Sequence, residues 1–457
     1  MPEYKTAAYQ DLSDFVYAQA KFPVALENGM VIGGGTLYPE VNFTLPTMSI
    51  EAGTMAEVIR NYKEIITGIC ERAKDLRSQG FVAEIETLPP MTFEPKWGIE
   101  VCRTMVDIAK DFAGKHGVKS AVRITPNDIR EGSDLTHMWR GRHWDNMLET
   151  FEGCAKAGAD FLAIESVGGK EVHDEAIMYC DIAKSVFALS VLGCTDMNRL
   201  WSQIVSIADK TGVVPAGDTA CGFANTAMVL ADRNYVPKVF SAAVRVMAAV
   251  RSLVAVERGA KGPHKDCGYE GVYVKAITGI PIAMEGRTSA CAHLSPVGNV
   301  AACLADLWSN ESIQNIKLLG GMAPTVSFEQ LEYDCRLMNT ASKRGRETAL
   351  LMRDMLADSD SALDPQAYVL RPDVVLEISQ EIVKEDGYYS RTKKAAELAL
   401  DKIRAAHGKG ELALEDKELM WLDRLAEDVA ALPADVQTLT DEMVPQCEKL
   451  EPAKYDM

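Results

Sequence analysis

Between residues 54 and 325 the chain switches repeatedly between two kinds of stretch. One kind is a short apolar run, such as Phe81-Val82-Ala83-Glu84-Ile85, Ser120-Ala121-Val122-Arg123-Ile124, Phe161-Leu162-Ala163-Ile164 and Val213-Val214-Pro215-Ala216. The other is longer, with apolar residues at helical spacing. Over 54–78, Thr54 and Glu57 form a capping-box pattern, Val58, Ile59, Tyr62, Ile65, Ile66 and Ile69 recur at helical spacing, and Gly80 provides a stop. Helix-period segments at 98–113, 145–156, 174–185 and 197–210 keep the alternation going. Further apolar runs at 188–192, 252–256, 280–284 and 316–319 bring the strand count near eight. Buried parallel strands joined by crossover helices satisfy such a pattern. A span of about 250 residues with eight strands is the arithmetic of a (β/α)8 barrel. A doubly wound open sheet is the alternative, and the barrel is favoured because the runs continue without a domain break.

The flanks read differently. Residues 1–53 predict an irregular lead-in. Its Val31-Ile32-Gly33-Gly34-Gly35 has no following Lys-Ser or Lys-Thr, so it is a turn rather than a phosphate loop. The barrel is expected over 54–325. Residues 326–457 carry no strand signal, and helical patterns at 326–341, 348–357, 374–384, 391–406 and 412–432 predict a helical extension packed beside the barrel or forming a partner surface.

The formal charge of −18 argues against a nucleic-acid partner, which requires a basic face. Met1-Pro2-Glu3-Tyr4-Lys5 lacks the basic start and apolar core of an export signal. The longest apolar segment, 239–256, carries Arg245 and Arg251, which argues against a membrane span. Eleven cysteines are scattered, with no CxxC pair. That is no disulfide framework, and it predicts a reducing, cytoplasmic location.

Three chemically capable residues fall at predicted carboxyl ends of strands, where barrel active sites form. Glu165 ends the run 161–164. Cys221 lies in Gly217-Asp218-Thr219-Ala220-Cys221-Gly222, past the run 213–216. Cys267 lies in Gly262-Pro263-His264-Lys265-Asp266-Cys267-Gly268, past the run 252–256. Two thiols and a carboxylate could form an open zinc site, with a fourth position left for substrate. Competing ligand sets are Cys291 with His293, the group His264, Asp266 and Cys267, and His173 beyond Glu165. None has structural zinc-finger spacing.

At these residues the sequence resembles the zinc subunit of the methanol:corrinoid methyltransferases. The matching stretches are Glu165-Ser166-Val167-Gly168-Gly169-Lys170-Glu171-Val172, Gly217-Asp218-Thr219-Ala220-Cys221 with Ala224-Asn225-Thr226-Ala227-Met228, and Lys265-Asp266-Cys267-Gly268-Tyr269-Glu270. Val274-Lys275-Ala276-Ile277-Thr278-Gly279 and Trp308-Ser309-Asn310-Glu311-Ser312 match too, and the helical tail matches more loosely. The resemblance implies a (β/α)8 barrel with extra helices and one Zn2+ per chain on Glu165, Cys221 and Cys267. It implies transfer of the methyl group of methanol to the cobalt of a separate corrinoid protein, in a complex with two copies of each chain. The corrinoid motif Asp-x-His-x-x-Gly is absent, so the partner is expected to supply the corrinoid.

An anionic donor set weakens a Lewis acid, so a proton must also be supplied. Glu165 is the first candidate for relaying it, with Asp218 and Asp266 as further candidates that could instead only orient loops. The alternatives are another methyl donor, such as a methoxylated compound, or a metal-free barrel like uroporphyrinogen decarboxylase.

Overall fold

The computed structural model describes residues 4–45, 48–132, 134–313, 317–318 and 320–457. Seven parallel strands share one sheet, in the order Val214–Asp218, Phe161–Ile164, Ser120–Pro126, Phe81–Thr87, Tyr38–Thr44, Leu307–Ile313 and Ala283–Glu285. The segment 261–264 bridges the two outer strands. On one side the Lys261 and Gly262 N–H groups donate to the carbonyls of Pro215 and Ala216 at 2.7 and 2.9 Å. On the other, the His264 N–H donates to the Pro281 carbonyl at 3.0 Å, and its own carbonyl accepts the Ala283 N–H at 2.9 Å. Eight staves thus close a TIM barrel.

The helices form where the apolar spacing places them. Met55–Asp75 buries Val58, Tyr62, Ile65, Ile66 and Ile69 on one stripe, and Pro95–His116 ends at Gly117 in the left-handed conformation. Arg142–Ala157 and Cys194–Thr211 end at Gly158 and Gly212 in the same way. Helix Lys238–Glu257 is long and apolar enough to cross a membrane, but residues Val239 to Glu257 are all buried within the protein.

Several elements differ from the sequence reading. Residues 188–192 are π-helical, within a helical run from Ile182 to Thr211, and residues 252–256 finish the helix Lys238–Glu257. Short apolar runs suit a buried helix as well as a buried strand, and here no sheet neighbour is available. Of the run 316–319, Lys317–Leu318 pairs with Gly321–Met322 in a small hairpin, while Ile316 and Leu319 lie outside the described residues. The barrel strand of that region is Leu307–Ile313 instead. The lead-in is not irregular throughout. Gln19–Ala25 and Val31–Gly34 pair in a hairpin, and Tyr38–Thr44 is a central barrel strand. The capping box at Thr54 does not form. Its Oγ1 accepts the Glu51 N–H and donates to the Ser49 carbonyl.

Beyond residue 322 the described chain is helical. Ala323–Lys343 packs on the strands Tyr38–Thr44 and Leu307–Ile313 and so acts as a barrel helix. Tyr388–Gly408 lies along Lys238–Glu257, where the buried Arg391 pairs with Glu257 at 3.2 Å.

Polar residues fill one end of the barrel interior. Glu40 accepts from Arg123 Nε at 2.6 Å, and Lys265 Nζ lies 2.9 Å from both Glu84 and Asp266 and 3.1 Å from Glu86. Burial pushes the Glu40 carboxyl up to about 8 against the pull of Arg123. Buried ions in such numbers hold only when paired, and this network is what separates the barrel from an apolar-cored one.

Candidate metal centre

Glu165, Cys221 and Cys267 converge. One carboxylate oxygen and the two sulfurs all lie within 4.8 Å of one another. Each is delivered by the end of a barrel stave. Glu165 directly follows Phe161–Ile164, Cys221 opens a tight turn three residues after Val214–Asp218, and Cys267 follows the segment 261–264. The Cys267 thiol donates to Glu165 Oε1 at 3.1 Å.

Close backbone approach makes this possible. A Cβ on Gly268 would sit 1.9 Å from Glu270 Oε2, and one on Gly168 would sit 2.2 Å from the Asp196 Cβ. Only glycine fits at either place.

The surrounding side chains tie the three loops together. Glu270 Oε1 accepts the Ala220 N–H at 2.7 Å, the Thr219 hydroxyl at 3.1 Å and the Ser252 hydroxyl at 2.7 Å, while Thr219 Oγ1 accepts the Gly268 N–H at 2.9 Å. The loop after Glu165 is held separately. Asp128 Oδ2 accepts the Val167 N–H at 3.0 Å, and Arg130 clamps Asp128 and Asp196. The Tyr455 hydroxyl accepts the Gly169 N–H at 2.8 Å and donates to Glu171 at 2.7 Å.

The electrostatics suit a cation. Burial raises the Glu165 carboxyl above its ordinary range, and Lys265 at 3.4 Å pulls the other way. The neighbouring Cys267 sulfur draws Cys221 down, but burial and the Glu165 carboxylate prevail and push its thiol up to about 12. Burial, followed by the Cys221 sulfur, lifts Cys267 well above its ordinary value. Three groups that would be anionic together are therefore held close with too little positive charge nearby. A divalent ion that accepts sulfur and oxygen fits that donor set, and three protein ligands leave a coordination position open. A cavity of about 410 Å³ opens onto Glu165 and Cys221, with Lys170, Asn225 and Thr226 in its wall.

The other sequence-predicted residues stand elsewhere. Asp218 is buried behind the site, accepting the Ser166 N–H at 3.2 Å and the Trp201 indole N–H at 2.9 Å. Burial raises its carboxyl, with Arg251 opposing. Asp266 joins Lys265, Glu40 and Glu84 inside the barrel. Neither lines the cavity. Asp218 thus holds the loop after Glu165, whereas Asp266 pairs with Lys265. Cys291 is exposed on the helix Arg287–His293, His173 packs against Phe223, and His264 sits against Glu270. None of these joins a second ligand cluster among the described residues. Sequence reasoning missed Glu270, Lys265, Asn225, Asp128 and Tyr455 as parts of the site. The signal available was a charged or amide side chain beside a glycine-flanked ligand.

Comparison with known proteins identifies the family of the chain. The family described as MtaB, the methanol-cobalamin methyltransferase B subunit, matches residues 1–456. A methanol--corrinoid protein co-methyltransferase from Methanosarcina barkeri is 39% identical over 445 residues, covering 96% of this chain and 95% of the relative. A chain in the crystal structure of the methanol:cobalamin methyltransferase complex MtaBC from Methanosarcina barkeri superposes with a TM-score of 0.95 at 36% identity, over 100% of both chains. With a match of this extent, the decarboxylase-like alternative gives way: the chain belongs to the MtaB family of methanol-cobalamin methyltransferase B subunits.

Proposed function

We propose that the chain transfers the methyl group of methanol to the cobalt of a separate corrinoid protein, with one Zn2+ held by Glu165, Cys221 and Cys267. The observation that carries this reading is the approach of one carboxylate oxygen and two sulfurs within 4.8 Å at the barrel mouth, beside an open cavity. The names of the two Methanosarcina barkeri relatives, a methanol--corrinoid protein co-methyltransferase and a methanol:cobalamin methyltransferase complex, support the same substrates.

When bound, the zinc ion supplies Lewis acidity toward the alcohol oxygen. The rest falls to the chain. In the overall reaction the C–O bond of methanol breaks, a C–Co bond forms with the electron pair of cobalt(I), and the oxygen leaves with an added proton as water. Glu165 is placed to hold or pass that proton, because its carboxylate lines the cavity. Lys265 keeps the carboxylate oriented from below. The Glu270 and Asp128 hydrogen bonds fix the loops, so the alcohol meets a preformed site. The cavity far exceeds one methanol molecule. The corrinoid carrier would dock over it and exclude water, in an assembly with two copies of each chain. All eleven cysteines are free, which suits a cytoplasmic protein that must keep two thiols reduced.

The test is methyl transfer to the reduced carrier, followed by loss of the cobalt(I) absorption. Methanol, methylamine and a methoxyarene are offered in parallel, before and after metal removal. Transfer from methanol alone, lost on chelation and restored by zinc, is the expected result. Transfer that survives complete chelation, or that prefers another donor, contradicts the reading.

A further inference from the structure

Cys221 opens the π-helical turn Cys221–Asn225. The turn brings its first and last residues to the same side, with Asn225 Nδ2 3.7 Å from Cys221 Sγ. Asn225 also lines the cavity, and its Oδ1 is buried with no hydrogen-bond partner. The amide therefore engages the centre through its nitrogen alone. A thiolate accepts hydrogen bonds and donates none, so the nitrogen end of the amide is the end that suits it. Among the described residues no other side-chain N–H is hydrogen-bonded to either sulfur of the centre.

We propose that Asn225 is a positioning residue that sets the electron density on the Cys221 sulfur, and through it the electron-withdrawing power of the metal centre. The inference rests on the reading that Glu165, Cys221 and Cys267 hold a divalent metal. Two thiolates and a carboxylate bring three negative charges to a doubly charged ion. Each thiolate also donates strongly, so the set blunts the Lewis acidity that the reaction requires. An N–H directed at one sulfur draws density back from the metal without removing a ligand. Groups around a metal's ligands commonly act in this way. The amide is neutral, so it does so without adding another buried charge. It is also fixed in the same turn as the cysteine, so the contact follows from local backbone geometry rather than from a mobile side chain.

The test uses the full chain loaded with Co2+ in place of zinc, because the sulfur-to-cobalt charge-transfer absorption reads the charge on sulfur directly. Asn225→Leu keeps the branched side-chain skeleton and removes the donor, Asn225→Ala removes both, and Asn225→Gln keeps the amide. In Asn225→Leu and Asn225→Ala the band is expected at longer wavelength with metal content unchanged. Methyl transfer falls about tenfold in kcat, the scale of one hydrogen bond to a charged acceptor. Asn225→Gln restores band and rate toward those of the parent. A band that stays in place in both donor-lacking variants overturns the proposal, as does a shift in Asn225→Gln equal to theirs. Failure of the parent protein to bind Co2+ or Zn2+, or an unchanged band in Cys221→Ser, instead overturns the metal reading itself, and the proposal with it.

Discussion

Glu270 Oε1 accepts the Ala220 backbone N–H at 2.7 Å, which ties the chain just after Cys267 to the turn that begins at Cys221. His264 stands 3.5 Å from the same oxygen. Burial opposes ionisation there, but the nearby His264 ring and the Ser252 and Ala220 donors outweigh it, and the carboxyl is held down at about 2. The spacing of the two sulfurs thus depends on a buried anion that touches neither of them. Replacing it with Glu270→Ala is expected to weaken metal binding by about 10–100-fold, the usual effect of losing a group that orients ligands. Competition with a chromophoric chelator measures this. Unchanged affinity would show that the two loops hold their spacing without the carboxylate.

Lys265 is the shared cation of Glu84, Glu86, Asp266 and Glu165, at distances from 2.9 to 3.4 Å. Lys265→Met removes the shared cation from these carboxylates, of which Glu84 and Asp266 are fully buried. A loss of about 3–5 kcal/mol in unfolding free energy is expected, read by denaturant titration. A change below about 1 kcal/mol would mean that Arg123 and protonation absorb the imbalance.

Tyr455 reaches back from the far end of the fold to the loop that follows Glu165. Tyr455→Phe removes an acceptor for the Gly169 N–H and a donor to Glu171. Each unsatisfied buried group costs about 1–3 kcal/mol. The variant is therefore expected to unfold at lower denaturant and to release metal faster, and the two effects can be read on the same sample. Faster release without loss of stability would confine the role of Tyr455 to the loop.

His173 is buried between Phe223, Lys170 and Arg251, with neither ring nitrogen hydrogen-bonded. Burial, reinforced by Lys170 and Arg251, lowers its pKa to about 3. The unfolded chain binds a proton near pH 6.5 and the folded one does not. The contribution is fully present above pH 6.5 and is lost as the pH falls from there toward 3. Between pH 7 and pH 5 this amounts to about 2 kcal/mol. His173→Leu should flatten that part of the stability profile, measured by denaturant midpoints at each pH. An equally steep profile in the variant would assign the acid sensitivity to other groups.

The barrel was legible in the sequence, but three of its eight staves were assigned to the wrong residues, for one physical reason. Parallel strands are expected to be apolar on both faces. Here Tyr38–Thr44 carries the buried Glu40 and Asn42, and the segment 261–264 reads Lys261-Gly262-Pro263-His264, so both look like polar loops. Leu307–Ile313 is interrupted in the same way by Ser309 and Asn310. Genuinely apolar runs at 188–192 and 252–256 are helical because they pack among helices. Cys267 was nonetheless placed at a stave end, since segment 261–264 directly precedes it. The convergence of Glu165, Cys221 and Cys267 was legible because barrel topology brings successive stave ends to one rim. The supporting shell was not, because Glu270, Asn225 and Tyr455 act through contacts that only the folded chain reveals.

The central claim is that one carboxylate and two thiolates grip a zinc ion that retains an open position. X-ray absorption at the zinc edge, on protein whose metal content has been measured, tests it most directly. The account predicts about one zinc per chain, with two sulfur neighbours at about 2.3 Å and the remaining shell made of oxygen. It further predicts that one sulfur disappears from the shell in Cys221→Ser. Protein that holds no zinc, or a shell built from nitrogen or from four sulfurs, would contradict it.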